Sequence, residues 1–301
     1  MNATVTCRHG DCQPRRLHPT KLLTPRNSLH AIGEHAAVEA VDDPVTVSRI
    51  AADLRELGVE SGDTLLVHCA LSELGWVAGG PQAVVDALQR AVTDTGTIVM
   101  PTHSTQYSDP SVWTNPPVPD DWPEQIRESM PPFRPAVTPT RSMGAVAECF
   151  RSYPGTVRSR HPLYSFAAWG ADAAAIVEEH TFENAMGEES PIARLYERDS
   201  SVLMLGTDHE TNTSLHLAEY RTDIEAERTA AGAPVLRDGE REWVEWTDVG
   251  LDSDDFPEIG AAFEAEQPSA VSEGEVEAAT AKLVEQPALV DFGAEWMSEH
   301  R

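Results

Sequence analysis

Residues 62–100 read GDTLLVHCALSELGWVAGGPQAVVDALQRAVTDTGTIVM, and this stretch decides the fold class. Two short apolar runs, 64–69 and 97–100, are typical of buried parallel strands, because they lack the alternation of a strand with one face in water. Between them, Pro81 begins a run whose apolar residues recur at helical spacing. A strand, a loop, a helix and a second strand in this order predict a βαβ crossover.

The rest of the chain adds elements of the same kinds. We predict helices at 44–57, 142–150, 171–179, 215–221, 255–263 and from Ser272, a strand at 201–205, a long loop at 101–139, and a hairpin at about 232–250. The hairpin turns at Asp238-Gly239, and a capping box completed by Glu275 supports the helix from Ser272. The predicted fold is α/β: a three-layer sandwich with a mostly parallel central sheet, plus a small hairpin appendage.

We predict a single domain at 37–301 and an extension at 1–36 whose first 33 residues have no apolar period, which is typical of disorder. The extension contains Cys7 and Cys12. A structural zinc site needs four ligands at standard spacings, and these cysteines with the nearby histidines supply them poorly. We therefore expect no metal.

The chain is strongly acidic, with a formal net charge of −28 and only two lysines. Such a surface suits a cytoplasm at molar salt, where the screening length falls to about 3 Å, and we expect a halophilic source. Nucleic acids and anionic membranes are disfavoured as partners because they require a cationic face, whereas cationic ligands are favoured. No run approaches the roughly 18 apolar residues of a membrane span. We expect a cytoplasmic protein with reduced thiols.

The loop 70–80 leaves the end of the first strand and enters a helix, which is where open α/β sheets bind ligands. Its three glycines allow close approach, and N–H groups at the helix start can bind a pyrophosphate. The loop matches neither Gly-x-Gly-x-x-Gly nor Gly-Lys-Ser/Thr, so dinucleotide and nucleoside-triphosphate binding are weakly supported. A glycine-rich turn without a ligand stays open as the alternative.

His216 and Glu219 lie on the helix predicted after the strand 201–205. At positions i and i+3 they share a helix face, and a carboxylate beside an imidazole fixes its tautomer and raises its basicity. The pair suits removal of a proton from an attacking amine or hydroxyl. The alternative is a surface ion pair. A zincin is excluded because the chain has no His-Glu-x-x-His.

A basic cluster precedes the apolar run 166–169. It consists of Arg158, Ser159, Arg160 and His161. In so acidic a chain, these side chains can hold the phosphates of a cofactor, or they can form a salt-bridged surface strand.

Covalent catalysis is disfavoured. The chain has no Gly-x-Ser-x-Gly elbow for a serine nucleophile. Cys69 directly follows His68 in the first strand, so the two side chains point to opposite faces and cannot pair as nucleophile and base.

A series of motifs between about Val45 and Phe263 occurs in the order found in one known family. They are Gly58-Val59 with 62–75, Gly79-Gly80, Met100-Pro101-Thr102-His103-Ser104, Arg141-Ser142-Met143-Gly144, Arg158-Ser159 with His161-Pro162, 165–170, Gly187 with Ser190-Pro191, and Asn212-Thr213-Ser214-Leu215-His216 with Glu219. Each motif is weak alone. Together and in order, they make the chain resemble the aminoglycoside 3-N-acetyltransferases, also called antibiotic N-acetyltransferases.

The resemblance implies acetyl transfer from acetyl-coenzyme A to the 3-amino group of an aminoglycoside. It implies His216 as the general base and Glu219 as its neighbour. From the resemblance and the basic cluster, the predicted coenzyme-binding residues are His68, Leu71, Ser72, Gly75, Gly79, Gly80, Thr102, Ser104, Arg158 and Ser159. The family usually has two serines after the strand histidine, where this chain has Cys69-Ala70, so their hydroxyl contacts are absent.

We predict a ternary-complex N-acetyltransferase that gives antibiotic resistance. Because the acceptor is a polycation, carboxylates should line its pocket, and the candidates are Asp252, Asp254 and Asp255, or acids at 109–124. Two other functions stay open: an acetyltransferase of the same fold that acts on a different amine, and a non-catalytic paralogue that binds a coenzyme or a cation. The oligomeric state is not predicted.

Overall fold

The computed structural model describes residues 28–222, 224 and 227–301. The helices are α1 (Ser28–Glu39), α2 (Val47–Leu57), α3 (Pro81–Val92), α4 (Pro123–Ser129), α5 (Gly144–Phe150), α6 (Ala173–Val177), α7 (Pro191–Tyr196), α8 (Leu215–Arg221), α9 (Phe256–Glu266) and α10 (Gln286–His300). The strands are β1 (Thr64–Cys69), β2 (Thr97–Pro101), β3 (Val157–Arg158), β4 (Phe166–Gly170), β5 (Ser201–Leu205), β6 (Arg228–Arg237), β7 (Glu240–Val249), β8 (Val271–Val276) and β9 (Ala279–Glu285).

The large sheet has seven strands in the order β3-β4-β2-β1-β5-β9-β8. In its centre, β1 pairs in parallel with β2 and with β5. On both flanks the pairing is antiparallel, between β2, β4 and β3 on one side and between β5, β9 and β8 on the other. Only β4 and β9 therefore run against the other strands, and the predicted mostly parallel sheet is confirmed.

Helices cover both faces of this sheet. In β1, Leu65 and Val67 contribute to a core with α2, α3 and α5, whereas Leu66 contributes to a second core with α6 to α10. This alternation is the period of two expected of a strand, and it fills both faces with apolar side chains. The predicted three-layer sandwich is confirmed. None of the helices in the described ranges is long and apolar enough to cross a bilayer.

The hairpin β6–β7 forms a separate two-stranded sheet. Its turn is at Asp238-Gly239 as predicted, and both residues have positive φ, at 52° and 84°. Trp246 of β7 packs with Leu163 in a third, small cluster. The predicted long loop 101–139, which contains the short helix α4, contacts the hairpin where the Phe133 N–H donates to the Pro234 carbonyl.

Two expectations differ from the structure at the ends of the chain. The helix expected from Ser272 is wrong, because Ser272 lies in β8 and pairs with Leu283 of β9. Its backbone is satisfied by a neighbouring strand, and this tertiary pairing overrides the local capping signal. At the other end, residues 28–36 of the predicted extension belong to the helix α1. Residues 1–27, including the cysteines considered for zinc, lie outside the described residues.

Candidate active site

The carboxyl ends of β1 and β2 open onto a cavity of about 570 Å³. Three histidines line it: His68 at the end of β1, His103 directly after β2, and His216 on α8. The remaining wall includes the start of α5 and the segment between β5 and α8. This is the edge at which open α/β sheets bind their ligands.

His216 and Glu219 lie on one face of α8, as their spacing predicts. Nδ1 of His216 is 2.6 Å from Oε2 of Glu219. The Glu219 side chain is only 3% exposed, so the pair is not the surface ion pair considered as the alternative. Since the carboxylate accepts the Nδ1 proton, Nε2 of His216 is left as the basic atom of a ring that borders the cavity.

The other oxygen of Glu219 is also hydrogen-bonded. Oε1 accepts the Asp252 N–H at 2.9 Å and Nη1 of Arg301, beyond α10, at 2.8 Å. A buried carboxylate loses its hydration and requires such donors. Glu219 is therefore held on both sides, and His216 is held through it.

The two histidines across the cavity are neutral. Burial lowers the pKa of His68 to about 3, with a smaller contribution from His216, and it lowers the pKa of His103 to about 3 in the same way. The Thr213 N–H donates to Nε2 of His68 at 3.4 Å, which places the proton of this neutral ring on Nδ1. Neither ring competes with His216 for a proton at neutral pH.

Cys69 borders the same cavity, but it is not a nucleophile in this environment. Burial raises the pKa of its thiol to about 12, so the thiol keeps its proton at neutral pH. The Cys69 side chain packs with the core on the sheet face that α2 and α3 cover. Helix α8, which carries His216, packs on the opposite face of the sheet. This supports the expectation that no acetyl-enzyme forms on Cys69.

Half of the predicted coenzyme-binding residues border two adjoining cavities. Ser72 lines both the active-site cavity and a second one of about 490 Å³, and His68 lines the first. The second cavity is also lined by Leu71, Gly75 and Gly80. Gly79 lies beside it with φ of +98°, a conformation that favours glycine, but is not among its lining residues. The two cavities therefore lie on either side of Ser72.

Three other predicted coenzyme residues are fully buried and bonded within the protein. Thr102 and Ser104 donate their hydroxyls to the backbone carbonyls of residues 165 and 162. The Ser159 hydroxyl lies 3.0 Å from Nδ1 of His180 and also accepts the Phe166 N–H. None of the three lines either cavity, and their hydroxyls bond to backbone or side-chain groups of the protein interior.

Arg158 is likewise turned into the protein. Its guanidinium donates to the carbonyls of Thr102, Pro135 and Thr138 and to the Ser165 hydroxyl. Burial lowers its pKa to about 10, which still leaves it charged at neutral pH. These contacts occupy donors on all three guanidinium nitrogens, so Arg158 is bonded mainly within the protein and is not part of a salt-bridged surface strand.

The predicted substrate carboxylates lie beside the site, behind Glu219. Both Asp255 oxygens accept hydrogen bonds from Arg301, at 2.6 and 2.7 Å. Asp252 and Asp254 are exposed, and Oδ1 of Asp252 accepts the Asp254 N–H. None of the three lines the active-site cavity.

The lining residues that are absent from the predicted set include one imidazole, His103, and one carboxylate, Glu210. For His103 a signal exists in the sequence. His103 lies three residues after the predicted strand 97–100, at the end of the strand where open α/β sheets bind ligands. For Glu210, an acid in a loop among 50 acids, the sequence offers no signal.

One group of side chains within the described residues has the composition of a metal site. It consists of Asp208, His209 and Glu264, whose ligand atoms lie within 4.8 Å of one another. The Lys282 ammonium already contacts both carboxylates, at 3.1 and 3.2 Å from Asp208 and 2.7 Å from Glu264. The lysine supplies the positive charge that these acids need, and we assign no metal to the group.

Comparison with known proteins identifies the family. The sequence model of the aminoglycoside 3-N-acetyltransferase family matches residues 66–298. The chain belongs to this family. The matched range contains the His216–Glu219 pair. It also contains the lining residues of both cavities, except the residues of α1 that line the second one.

Two relatives of this aminoglycoside 3-N-acetyltransferase family member match over more than nine-tenths of their own length. The SPbeta prophage-derived aminoglycoside N(3')-acetyltransferase-like protein YokD of Bacillus subtilis is 46% identical, over 86% of this chain and 94% of YokD. The YokD crystal structure superposes with a TM-score of 0.86, covering 88% and 98% of the two chains. Aminoglycoside N(3)-acetyltransferase VII of Streptomyces paromomycinus is 36% identical, over 88% and 96%. The structure "AAC-IIIb binary with CoASH" is 32% identical, with a TM-score of 0.77 and coverage of 85% and 97%.

Proposed function

We propose that this family member is an acetyl-coenzyme A-dependent N-acetyltransferase that modifies the 3-amino group of aminoglycosides in the cytoplasm and so gives antibiotic resistance. The observation that carries the proposal is the His216–Glu219 pair, 2.6 Å apart, with His216 on the wall of the active-site cavity. The family supports the acceptor class, and the related structure with CoASH supports the coenzyme.

The residues fit base catalysis within a ternary complex. When bound, acetyl-coenzyme A supplies the acetyl group as a thioester. Nε2 of His216 takes the proton of the attacking nitrogen as the N–C bond forms, and it can return that proton to the sulfur as the C–S bond breaks. Glu219 stabilises the imidazolium in between. His68, with its proton on Nδ1, is the candidate hydrogen-bond donor to the carbonyl oxygen.

The charge of the active-site cavity suits a cationic acceptor. Among the described residues, its lining includes the carboxylate of Glu210 and no Lys or Arg. With a net charge of −28, the whole chain attracts polyamines and repels anionic acceptors. Glu210 is therefore the first carboxylate that we assign to the acceptor amine.

The test is release of free thiol from acetyl-coenzyme A in molar potassium chloride, measured against matched amines. We expect turnover with aminoglycosides that carry a 3-amino group, loss of turnover when that amine is replaced by a hydroxyl, and intersecting initial-rate lines for the two substrates. Faster turnover with a polyamine or an amino sugar would assign the same chemistry to another acceptor. Binding of coenzyme A without thiol release with any amine would contradict the enzymatic assignment.

A further inference from the structure

Arg301 contacts the carboxylate of the proposed catalytic pair from the side opposite the imidazole. Its Nη1 is 2.8 Å from Oε1 of Glu219, whose other oxygen is 2.6 Å from Nδ1 of His216. The Glu219 side chain is 3% exposed and that of Arg301 is 25% exposed. A guanidinium, a carboxylate and an imidazole thus form a continuous row that ends at the active-site cavity.

Arg301 is itself fixed in place. Its guanidinium donates to both oxygens of Asp255, and Nη2 also donates to the Asp252 carbonyl at 2.8 Å. Hydrogen bonds to Asp255 and Glu219 raise the pKa of Arg301, so its charge is permanent. Arg301 does not line the cavity, and any effect on catalysis must pass through Glu219.

We propose that Arg301 is a positioning residue for the reaction: it holds Glu219 against His216 and lowers the pH at which this pair becomes free to accept the proton of the amine. The inference rests on the proposed role of His216 as the base. Arg301, which lies 82 positions after Glu219 in the chain, adds a charge that tunes this base.

The direction of the effect follows from treating His216 and Glu219 as one unit. A proton shared by a strongly coupled pair belongs to both groups, and a permanent positive charge beside the carboxylate disfavours that proton wherever it resides. Without Arg301 the pair would therefore keep its proton to a higher pH.

The other groups around the pair do not oppose this direction. His68 from β1 and His103 after β2 are neutral. Phe256 of α9 packs against the His216 ring, with centroids 4.8 Å apart. The remaining charged neighbours are acids: Asp255 at the start of α9, with Asp252 before it, and Glu210 on the cavity wall. Acids favour the protonated pair, so Arg301 is the charge that offsets them.

The experiment compares pH profiles of kcat/KM for Arg301→Met and Arg301→Lys in molar potassium chloride. We expect the acid limb of Arg301→Met to move upward by about one pH unit, which is an activity loss of about tenfold on that limb and less above it. Arg301→Lys keeps the charge and should keep the limb near its wild-type position. The KM for acetyl-coenzyme A should change little in either variant.

Arg49 provides a matched control. It contacts Glu277 at 2.7 Å, and that carboxylate is 1% exposed, but neither residue lines the cavity. Arg49→Met also removes a guanidinium from a buried carboxylate, and it should not move the limb. An equal rate loss at every pH in Arg301→Met, with no shift, would overturn the proposal and leave Arg301 a purely structural residue.

A second measurement needs no substrate. In protein labelled with ¹³C in histidine rings, the His216 signal, assigned with His216→Gln, reports the titration of the pair directly. An upward shift in Arg301→Met supports the proposal even if no amine releases thiol, so failure of the proposed function and failure of this inference remain distinguishable. Superimposable titrations of wild type and Arg301→Met would refute the tuning role.

Discussion

Two regions of this molecule combine histidine, arginine and hydroxyl groups and border a cavity, but only in the active site does a histidine of the region contact a carboxylate. In the active site, His216 contacts Glu219, and the pair borders open space. In the basic cluster, Arg158 donates to backbone carbonyls. His180, which contacts this cluster, lies between the Ser159 hydroxyl and the Ala185 carbonyl. The residue types are similar, but their partners are not.

The difference shows what an imidazole needs in order to act as a base. Burial without an anion lowers the pKa of His180 to about 3, and it lowers that of His161 well below its ordinary value. Such rings stay neutral and serve as hydrogen-bonding parts of the core. His216 has a buried carboxylate that can stabilise its charged form, and a basic nitrogen that a substrate can reach.

The largest difference between the two regions is expected when a histidine in each is replaced by glutamine. His216→Gln keeps a group that can bond to Glu219 but cannot carry a proton between nitrogen and sulfur. We expect kcat to fall by about 10²- to 10⁴-fold, the usual contribution of a general base, with little change in the KM for acetyl-coenzyme A. Initial rates of thiol release at saturating substrates provide the measurement.

His180→Gln is the matched variant in the basic cluster. Its amide offers a donor and an acceptor for the hydrogen bonds to Ser159 and to the Ala185 carbonyl, and His180 lines a different cavity from that of the active site. We expect its kcat to remain close to that of the wild type. A similar loss of kcat in both variants would show that His216 has no special role in the reaction.

The sequence is sufficient to predict the element that decides the active site. The apolar runs of β1 and β5 identify buried strands, and the spacing of His216 and Glu219 places both on one helix face directly after β5. These inferences need only local periodicity and the rule that ligands bind at strand ends, and the structure agrees with them for that reason.

Contacts between distant segments are not predictable in this way. Arg301 reaches Glu219 across 82 positions, and nothing in the local sequence around either residue indicates the other. Ser272 has a sound helix signal, yet pairing with β9 makes it part of a strand. Arg158 looks available for phosphates until the loop carbonyls that surround it are known. In each case a partner far along the chain determines the outcome.

Arg158 offers the next test, because the sequence and the structure assign it different roles. Arg158→Met removes the donor from the carbonyls of Thr102, Pro135 and Thr138, and buried acceptors left without donors are costly. We expect the free energy of unfolding to fall by about 3 kcal/mol, with an unchanged KM for acetyl-coenzyme A. Urea unfolding and steady-state kinetics on the same preparation measure both.

Arg160, exposed two positions later in the same motif, is the control for this substitution. Arg160→Met should change the free energy of unfolding by less than about 0.5 kcal/mol, as is usual for surface positions. If Arg158→Met instead raised the KM for acetyl-coenzyme A about tenfold, a loss of about 1.4 kcal/mol of binding, while the fold stayed stable, Arg158 would be a phosphate ligand.

The last expected effect is absent at neutral pH and develops as the pH falls: a change in how the free energy of unfolding depends on pH, which tests the neutrality of His180. The pKa of His180 is about 3 in the folded protein and about 6.5 in an unfolded chain, so below pH 6.5 only the unfolded state takes up this proton. Its contribution is complete above pH 6.5 and is lost as the pH falls toward 3, by about 1.4 kcal/mol per pH unit. His180→Gln removes this dependence. Urea unfolding at constant salt should therefore give a plot of the free energy of unfolding against pH whose slope is smaller by the equivalent of one proton. Ser159→Ala loses the hydrogen bond but keeps the ring, and it should destabilise the fold with the wild-type slope. Parallel curves for wild type and His180→Gln would mean that His180 is charged in the folded state, and the contrast between the two histidine regions would then no longer hold.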